Sequence, residues 1–128
     1  MREVIKTTQA PAAVGPYSQG IRVSGGKLLF TAGQVALDPA TGQMIEGDIK
    51  AQTRRTLENV KAILAAAGGS LVNVVKCSVF MTDLGEFAAM NEAYSEFFPQ
   101  NPPARTTVEV SALPRGAKIE IETIAMVG

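Results

Sequence analysis

The sequence predicts an α+β fold in which two helices pack on one face of a mixed β-sheet. Residues that alternate between apolar and polar predict strands near both ends of the chain, and apolar residues at steps of three and four predict two helices between them. The order is ββ-α-β-α-ββ, preceded by a short edge strand at residues 3–6. Two helices cover only one face of such a sheet, so we expect the other face to meet solvent or another subunit.

Composition and charge are those of a single folded domain over residues 1–128. Hydrophobic residues make up 46% of the chain and charged residues 19%, which is typical of globular proteins. The formal net charge is zero and Lys and Arg do not cluster, so nucleic acid and anionic membranes are disfavoured as partners. The N-terminus lacks the apolar core of a signal peptide and no apolar run could span a bilayer, so we expect a cytoplasmic protein without membrane contact.

The residue types that are missing limit the chemistry. The chain has no histidine and a single cysteine, Cys77. Nucleophiles activated by histidine, metals bound by histidine and zinc bound by thiolates are therefore excluded, and we expect no metal and no cofactor. Any reaction must depend on arginine, carboxylates, hydroxyls, backbone amides and water. Cys77 alternates with apolar residues and is expected in the core.

Both helices are predicted together with their ends. Asp48 is a suitable N-cap for a helix of about twenty residues, which the pair Gly68-Gly69 ends. Asp83, followed by Glu86 three residues later, resembles a capping box at the start of the second helix. The strand at residues 74–81 follows the first helix, and the order strand–helix–strand favours a parallel crossover.

Residues 102–127 predict a β-hairpin, because two alternating runs flank the turn signal Leu113-Pro114-Arg115-Gly116. Alternation divides the two strands into faces. The face expected to meet the core contains Thr106, Val108, Val110, Ile119, Ile121 and Thr123. The opposite face contains Arg105, Thr107, Glu109, Glu120, Glu122 and Ile124. The register that avoids like-charge pairs places Glu122 opposite Arg105 and leaves Glu120 diagonal to it.

Two charged residues of this predicted hairpin are candidates for chemistry. The planar guanidinium of Arg105 suits a carboxylate, which it could bind through two hydrogen bonds. The structural alternative is a cross-strand salt bridge to Glu122. Glu120 could position a water or accept its proton beside a bound carbonyl or imine carbon. The alternative for Glu120 is a solvated surface charge.

Weaker candidates come from three other positions. Asn91 interrupts an apolar helical stripe and could bind a ligand or a nearby loop. Tyr17 lies in a Pro- and Gly-rich segment, where its hydroxyl could serve a site or its ring could pack over the sheet edge. Gly33 follows a strand, where it could allow close backbone approach or form a bulge.

Four segments together resemble the RidA (YjgF-type) family nearly from end to end: GPYSQG at 15–20, FTAGQ at 30–34, ENVKAIL at 58–64 and PAR…LPRGAKIEIE at 103–122. The resemblance implies a chorismate-mutase-like α+β fold and a homotrimer with ligand clefts between subunits. It also implies the hydrolysis of 2-iminobutanoate and 2-iminopropanoate to 2-oxo acids and ammonia, so that the expected partner is a small 2-imino or 2-oxo acid.

The resemblance implies a role for each candidate residue. Arg105 would hold the substrate carboxylate, and Glu120 would orient or activate the attacking water. The remaining positions would line the cleft or offer backbone amides; they are Tyr17, Gly33, Asn91 and Thr107.

Two positions depart from the family pattern. Ala32 stands where a serine often precedes Gly-Gln, so a hydroxyl near the imine is missing. Thr107 stands where several members have cysteine; this change of side chain leaves the backbone amide in place. Two other functions stay open at this point: a non-catalytic trimer that binds a small carboxylate, and an RNA-cleaving translation inhibitor. The zero net charge and the absence of histidine disfavour the second.

Overall fold

The computed structural model describes all 128 residues and has the predicted α+β architecture. Its elements in chain order are β1 (Arg2–Ile5), β2 (Gly20–Val23), β3 (Lys27–Phe30), α1 (Ile49–Ala66), β4 (Val74–Met81), α2 (Phe87–Phe97), β5 (Ala104–Glu109) and β6 (Ile119–Val127). The N-terminal edge strand does form, so three strands precede α1. Neither helix combines the length and apolar character that a membrane crossing requires.

The main sheet is mixed and has the strand order β3-β6-β4-β5. Strand β4 runs parallel to β5 and antiparallel to β6, and β3 is antiparallel to β6. Strands β3 and β4 therefore point in the same direction on either side of β6, as the predicted crossover through α1 requires. Strands β1 and β2 form a separate two-stranded antiparallel sheet.

The predicted hairpin between β5 and β6 is wrong, because β4 lies between these strands and pairs with both. In its central position β4 forms backbone hydrogen bonds along both of its edges. Its buried residues alternate along its length. Residues 110–118 connect β5 to β6 across two strand spacings of about 4.8 Å each. Nine residues reach roughly 30 Å when extended, so the connection crosses β4 without difficulty.

The strand register also reverses the predicted faces of β5. Arg105 lies beside Cys77, a fully buried residue of β4. Glu120 lies beside Phe80, which is three residues further along β4 and therefore on the opposite side of the sheet. Val108, predicted for the core, is 40% exposed. Arg105 thus faces the helices, whereas Glu120 faces away from them.

Local signals placed both helices correctly. The Asp48 carboxylate accepts a hydrogen bond from the amide of Ala51 at 2.9 Å, which satisfies one of the free amides at the start of α1. Beyond its last turn, Gly68 adopts a left-handed φ of 81°, which ends α1. Asp83 accepts a hydrogen bond from the Gly85 amide and caps a short 3-10 turn, Leu84–Glu86, from which α2 continues. The predicted capping box with Glu86 does not form, and α2 itself begins without a side-chain cap.

The core lies between the sheet and the two helices. Fifteen buried residues from both helices and from β4 and β6 form one cluster, which includes Cys77 as expected. No element covers the other side of the sheet, where Leu28 is 57% and Phe30 66% exposed. We call this side, which carries Leu28, Phe30, Val108 and Glu120, the open face.

Candidate active site

The guanidinium of Arg105 lies in an aromatic enclosure on the helix-covered side of β5. Its central carbon is 4.8 Å from the ring centre of Tyr94, 5.2 Å from that of Tyr17 and 5.5 Å from that of Phe87. Strand β5 supplies the arginine, α2 supplies two of the rings, and the segment before β2 supplies Tyr17. Each cation–π contact stabilises the charge by about 0.5–2 kcal/mol, and the arginine as a whole is partly buried.

Arg105 has no acidic partner. The ion pairs in the structure are Glu3–Arg22, Lys50–Glu92 and Arg54–Glu96, so the predicted pair of Arg105 with Glu122 does not form. Its Nη1 atom is buried and makes no hydrogen bond. Buried charges in proteins are normally paired, so a partly buried guanidinium with neither an acidic partner nor a hydrogen bond indicates a role other than structural pairing.

Further unsatisfied polar atoms belong to residues near Arg105. The buried Oδ1 of Asn91 and Oγ1 of Thr107 have no hydrogen-bond partner, and the buried hydroxyl of Tyr94 has only the weak Cys77 thiol beside it. Asn91 and Tyr94 lie one turn apart on α2, and Thr107 follows Arg105 on the same face of β5. We call the group Tyr17, Phe87, Asn91, Tyr94, Arg105 and Thr107 the Arg105 pocket. Orphaned polar atoms at one place are typical of a site that takes a polar ligand.

Burial determines the protonation states in the Arg105 pocket. It lowers the pKa of Arg105, although a guanidinium stays charged in proteins. Burial raises the pKa of the Cys77 thiol to about 12 and that of the Tyr94 hydroxyl well above its ordinary value. Cys77 and Tyr94 are therefore neutral, and the arginine is the only charge in the pocket.

Gly15 forms part of the rim of the pocket. A Cβ atom at this position would lie 3.3 Å from Nη2 of Arg105, 3.3 Å from Nδ2 of Asn91 and 3.6 Å from the ring of Tyr17. The Tyr17 hydroxyl accepts a hydrogen bond from the amide of Val14 at 3.1 Å, which leaves its own proton free to donate. The absence of a side chain at Gly15 keeps the approach to both nitrogens open.

Thr107 offers a backbone amide as well as its hydroxyl. Strand β5 is an edge strand, with β4 on one side only. The Val110 amide donates to Met81 of β4, whereas the Pro103 carbonyl points outward and accepts from Ser18. Since hydrogen-bonding direction alternates along a strand, the Thr107 amide points to the free edge.

Glu120 and Gly33 lie together on the open face. A Cβ atom at Gly33 would fall 1.9 Å from Oε2 of Glu120, so only glycine leaves room for this carboxylate. The Gln34 amide donates to the Ile121 carbonyl at 2.8 Å and thereby fixes the segment against β6. The Gly33 amide itself makes no backbone hydrogen bond. We call Gly33 and Glu120 the Glu120 ledge.

The candidate residues thus divide into two groups. Tyr17, Asn91, Arg105 and Thr107 come together, and so do Gly33 and Glu120. The two groups face opposite sides of the sheet, so Glu120 is not diagonal to Arg105 as predicted.

Three residues of the site were missed from the sequence: Gly15, Phe87 and Tyr94. Phe87, Asn91 and Tyr94 follow one another at steps of four and three, which places them on the same side of α2. The sequence does place Asn91 between these two rings on one stripe, but core residues have the same spacing, so the contact of both rings with Arg105 was not predicted.

The chain is thus a small α+β protein with a partly buried arginine, without an acidic partner, on the edge strand of its sheet. Residues 7–127 match the family model described as Endoribonuclease L-PSP. The chain belongs to this family, which is the RidA (YjgF-type) family that the sequence resembles.

The sequence aligns with those of named relatives over nearly its whole length. Protein DfrA of Myxococcus xanthus is 54% identical over 125 residues, which cover 98% of this chain and 95% of that protein. The 2-iminobutanoate/2-iminopropanoate deaminase of Mus musculus is 44% identical over 128 residues, which cover 100% of this chain and 93% of the mouse protein.

Solved structures show the same fold. RidA from the Antarctic bacterium Psychrobacter sp. PAMC 21119 superposes with a TM-score of 0.77 at 46% identity, covering 98% of this chain and 99% of that one. TdcF of E. coli with bound serine superposes with a TM-score of 0.75 at 45% identity, with the same coverage of the two chains.

Proposed function

We propose that this protein is a 2-iminoacid deaminase, which hydrolyses 2-iminobutanoate and 2-iminopropanoate to 2-oxo acids and ammonia. The observation that carries the proposal is the unpaired guanidinium of Arg105 within its aromatic enclosure. Relatives named for this reaction support it, among them the mouse protein at 44% identity. Neither a metal nor a histidine is required, because a protonated imine is already an electrophile.

Arg105 would bind the substrate carboxylate. A guanidinium presents its N–H groups in a planar fork that matches the two oxygens of a carboxylate. Each charged hydrogen bond contributes about 1.5–3 kcal/mol, enough to hold a small acid in one orientation. The Thr107 amide at the free edge of β5 and the free proton of Tyr17 would complete the contacts. The single charge of the Arg105 pocket suits a substrate with one carboxylate.

Glu120 would come from a neighbouring copy of the chain. The Arg105 pocket and the Glu120 ledge face opposite sides of one sheet, so a cleft that uses both needs two subunits. Apolar side chains on the open face, including the 66% exposed Phe30, support burial of this face against a neighbour. A heterologous contact that closes after three copies gives a homotrimer with three equivalent clefts.

The reaction would proceed by addition and elimination. With the carboxylate fixed at Arg105, the imine carbon would lie near the Glu120 ledge of the neighbour. Glu120 would accept a proton from a water as its oxygen forms a bond to that carbon. The carbinolamine would then break its C–N bond as the proton from Glu120 goes to the leaving nitrogen and the hydroxyl proton returns to Glu120, which forms the carbonyl of the 2-oxo acid. Ammonia would take up that last proton and leave as ammonium, so that Glu120 is again ionised. The Gly33 amide, which makes no backbone hydrogen bond, would donate to the developing oxygen.

A non-catalytic trimer that binds a small carboxylate is the second candidate. The bound serine of E. coli TdcF favours it, because serine carries a carboxylate but no imine. The two functions make the same use of Arg105 and differ at Glu120. A binding protein needs no group that activates water.

The test is a hydrolysis assay on the wild type and on Glu120→Gln, with 2-iminobutanoate generated in the cuvette by a threonine dehydratase. A deaminase accelerates formation of 2-oxobutanoate, and Glu120→Gln lowers kcat by about 100-fold or more, the usual contribution of a general base. Titration with 2-oxobutanoate checks that the variant still binds. No acceleration by a wild type that binds 2-oxobutanoate would favour the binding protein.

A further inference from the structure

The segment of residues 6–14, which we call the N-terminal strap, is held in an unusual way. It connects β1 to the glycine and tyrosine at the rim of the Arg105 pocket. No backbone-to-backbone hydrogen bond joins any residue of the strap to the rest of the chain. A cavity of about 580 Å³ lies between the strap, β1 and residues 17–19, so packing does not fix the strap either.

The side chain of Gln19 is the main polar attachment of the strap. Its Oε1 accepts a hydrogen bond from the Thr7 amide at 2.7 Å. Its Nε2 lies within hydrogen-bond distance of three strap carbonyls, those of Thr7 at 3.1 Å, Ala10 at 3.3 Å and Pro11 at 2.6 Å. The Gln19 side chain thus makes the hydrogen bonds to the backbone of the strap that a neighbouring strand would otherwise make.

Gln19 itself has a fixed position. It precedes β2 and follows Ser18, whose amide and hydroxyl donate to the carbonyls of Pro103 and Pro102, just before β5. The strap is therefore tied to the start of the strand that carries Arg105. At its other end, the Val14 amide donates to the Tyr17 hydroxyl, and Gly15 lies against Nη2 of Arg105.

We propose that Gln19 is a positioning residue, which holds the strap so that Gly15 and Tyr17 keep Arg105 enclosed and correctly placed for a carboxylate. Only the expected change in KM rests on the proposed function; the effect on the strap and on the exposure of Arg105 does not. Gln19 touches no reacting atom. Its loss frees the strap, opens the Arg105 pocket to water and weakens carboxylate binding, while Glu120 stays in place.

The experiment compares Gln19→Ala and Gln19→Glu with the wild type and with Gln9→Ala. Gln19→Glu keeps an acceptor for the Thr7 amide but places a carboxylate oxygen, which cannot donate, against three carbonyls. Gln9 lies on the strap and its side chain makes no hydrogen bond, so its variant controls for a change on the same segment. Three quantities are measured: hydrogen exchange of the Thr7 amide, phenylglyoxal labelling of Arg105 by mass spectrometry, and KM and kcat for 2-iminobutanoate.

Both Gln19 variants are expected to exchange the Thr7 amide faster and to label Arg105 at least about fivefold faster. KM rises by a similar factor with kcat nearly unchanged, in line with the loss of one or two net hydrogen bonds. Gln9→Ala matches the wild type. Gln19 variants that melt earlier but label Arg105 at the wild-type rate and keep its KM overturn the proposal. A wild type without deaminase activity would defeat the proposed function alone, since labelling still decides the role of Gln19.

Discussion

The guanidinium of Arg105 lies among three aromatic rings on the helix-covered side of the sheet, whereas the carboxylate of Glu120 lies over a glycine on the open face. The Arg105 pocket is built within one chain and lacks a counter-ion. The Glu120 ledge has a carboxylate, but no element of the same chain covers it. Each region provides what the other lacks, so we propose that the two are half-sites of a cleft that forms between neighbouring copies of the chain.

Arg54, which forms an exposed ion pair, differs from Arg105 in both burial and pairing. Arg54 binds Glu96 through two hydrogen bonds of 3.0 and 2.8 Å, which join α1 to α2 at the surface. Its guanidinium is satisfied and solvated, so the pair contributes little to stability. Arg105 is more buried and unsatisfied. The chain thus pairs Arg54 with a carboxylate at the surface and leaves the more buried Arg105 without one, where we propose that it binds a ligand.

The largest effect is expected from Arg105→Ala. Loss of two charged hydrogen bonds of about 1.5–3 kcal/mol each lowers kcat/KM for 2-iminobutanoate by about 100- to 10,000-fold. Arg105→Lys keeps the charge without the fork and recovers only part of the loss. Arg54→Ala is the matched control and keeps full activity. Near-normal hydrolysis by a folded Arg105→Ala variant would remove the Arg105 pocket from the reaction.

Gly33→Ala perturbs the other half-site. The new Cβ would lie 1.9 Å from Oε2 of Glu120 and force the carboxylate to move. A displacement of this size lowers kcat by about 10- to 100-fold, with little change in carboxylate binding. The control is Gly20→Ala, whose Cβ would make only an ordinary 3.7 Å contact with Ile5. Equal kcat in the wild type and Gly33→Ala would show that the position of Glu120 does not matter.

Thr107→Val separates the hydroxyl of this residue from its backbone amide. The Oγ1 atom is buried without a partner, so the folded protein loses no hydrogen bond. If the amide is the main contact, KM rises less than about 10-fold, the value of one neutral hydrogen bond. Thr106→Val, which removes the acceptor of Lys76 on the open face, serves as the control. A larger loss of affinity would assign the hydroxyl the main contact instead.

A further effect concerns stability at high pH. Burial raises the pKa of Cys77 in the folded protein to about 12, from an ordinary value of 9.0. Between these values the unfolded thiol loses its proton and the folded thiol keeps it, so stability falls as pH rises. Urea unfolding at about pH 8 and about pH 10.5 should therefore show a larger loss for wild type than for Cys77→Ala. Equal losses would mean that Cys77 is not desolvated.

Local structure could be predicted from the sequence because its causes are local. Asp48 and Gly68 act within a few residues of themselves, and the apolar periodicity of each helix needs no partner to be seen. The fold class followed from the order of the elements. Strand neighbours depend on distant segments, which is why the insertion of β4 between β5 and β6 was not visible in the pattern.

The sequence predicted the polar candidates of the site, but it missed Gly15, Phe87 and Tyr94 and did not predict how the residues are arranged. Both faces of β5 carry mixed residues, so alternation could not tell which face meets the helices. Arg105 faces the helices because rings from α2 and Tyr17 surround it. Phe87 and Tyr94 have the spacing of ordinary core residues, and Tyr94 is indeed fully buried. The sequence pattern therefore does not show that both rings also contact the arginine.

The claim that a cleft combines Arg105 of one subunit with Glu120 of another is tested most directly by mixing two inactive variants. Trimers assembled from equal amounts of Arg105→Ala and Glu120→Gln chains should regain activity, because about a quarter of their clefts then contain both native residues. A mixture of Arg105→Ala with the double variant Arg105→Ala/Glu120→Gln has no such cleft and stays inactive. Recovery of about a quarter of wild-type activity is the predicted result. A mixture no more active than its separate components would show that Arg105 and Glu120 of different subunits do not share a cleft.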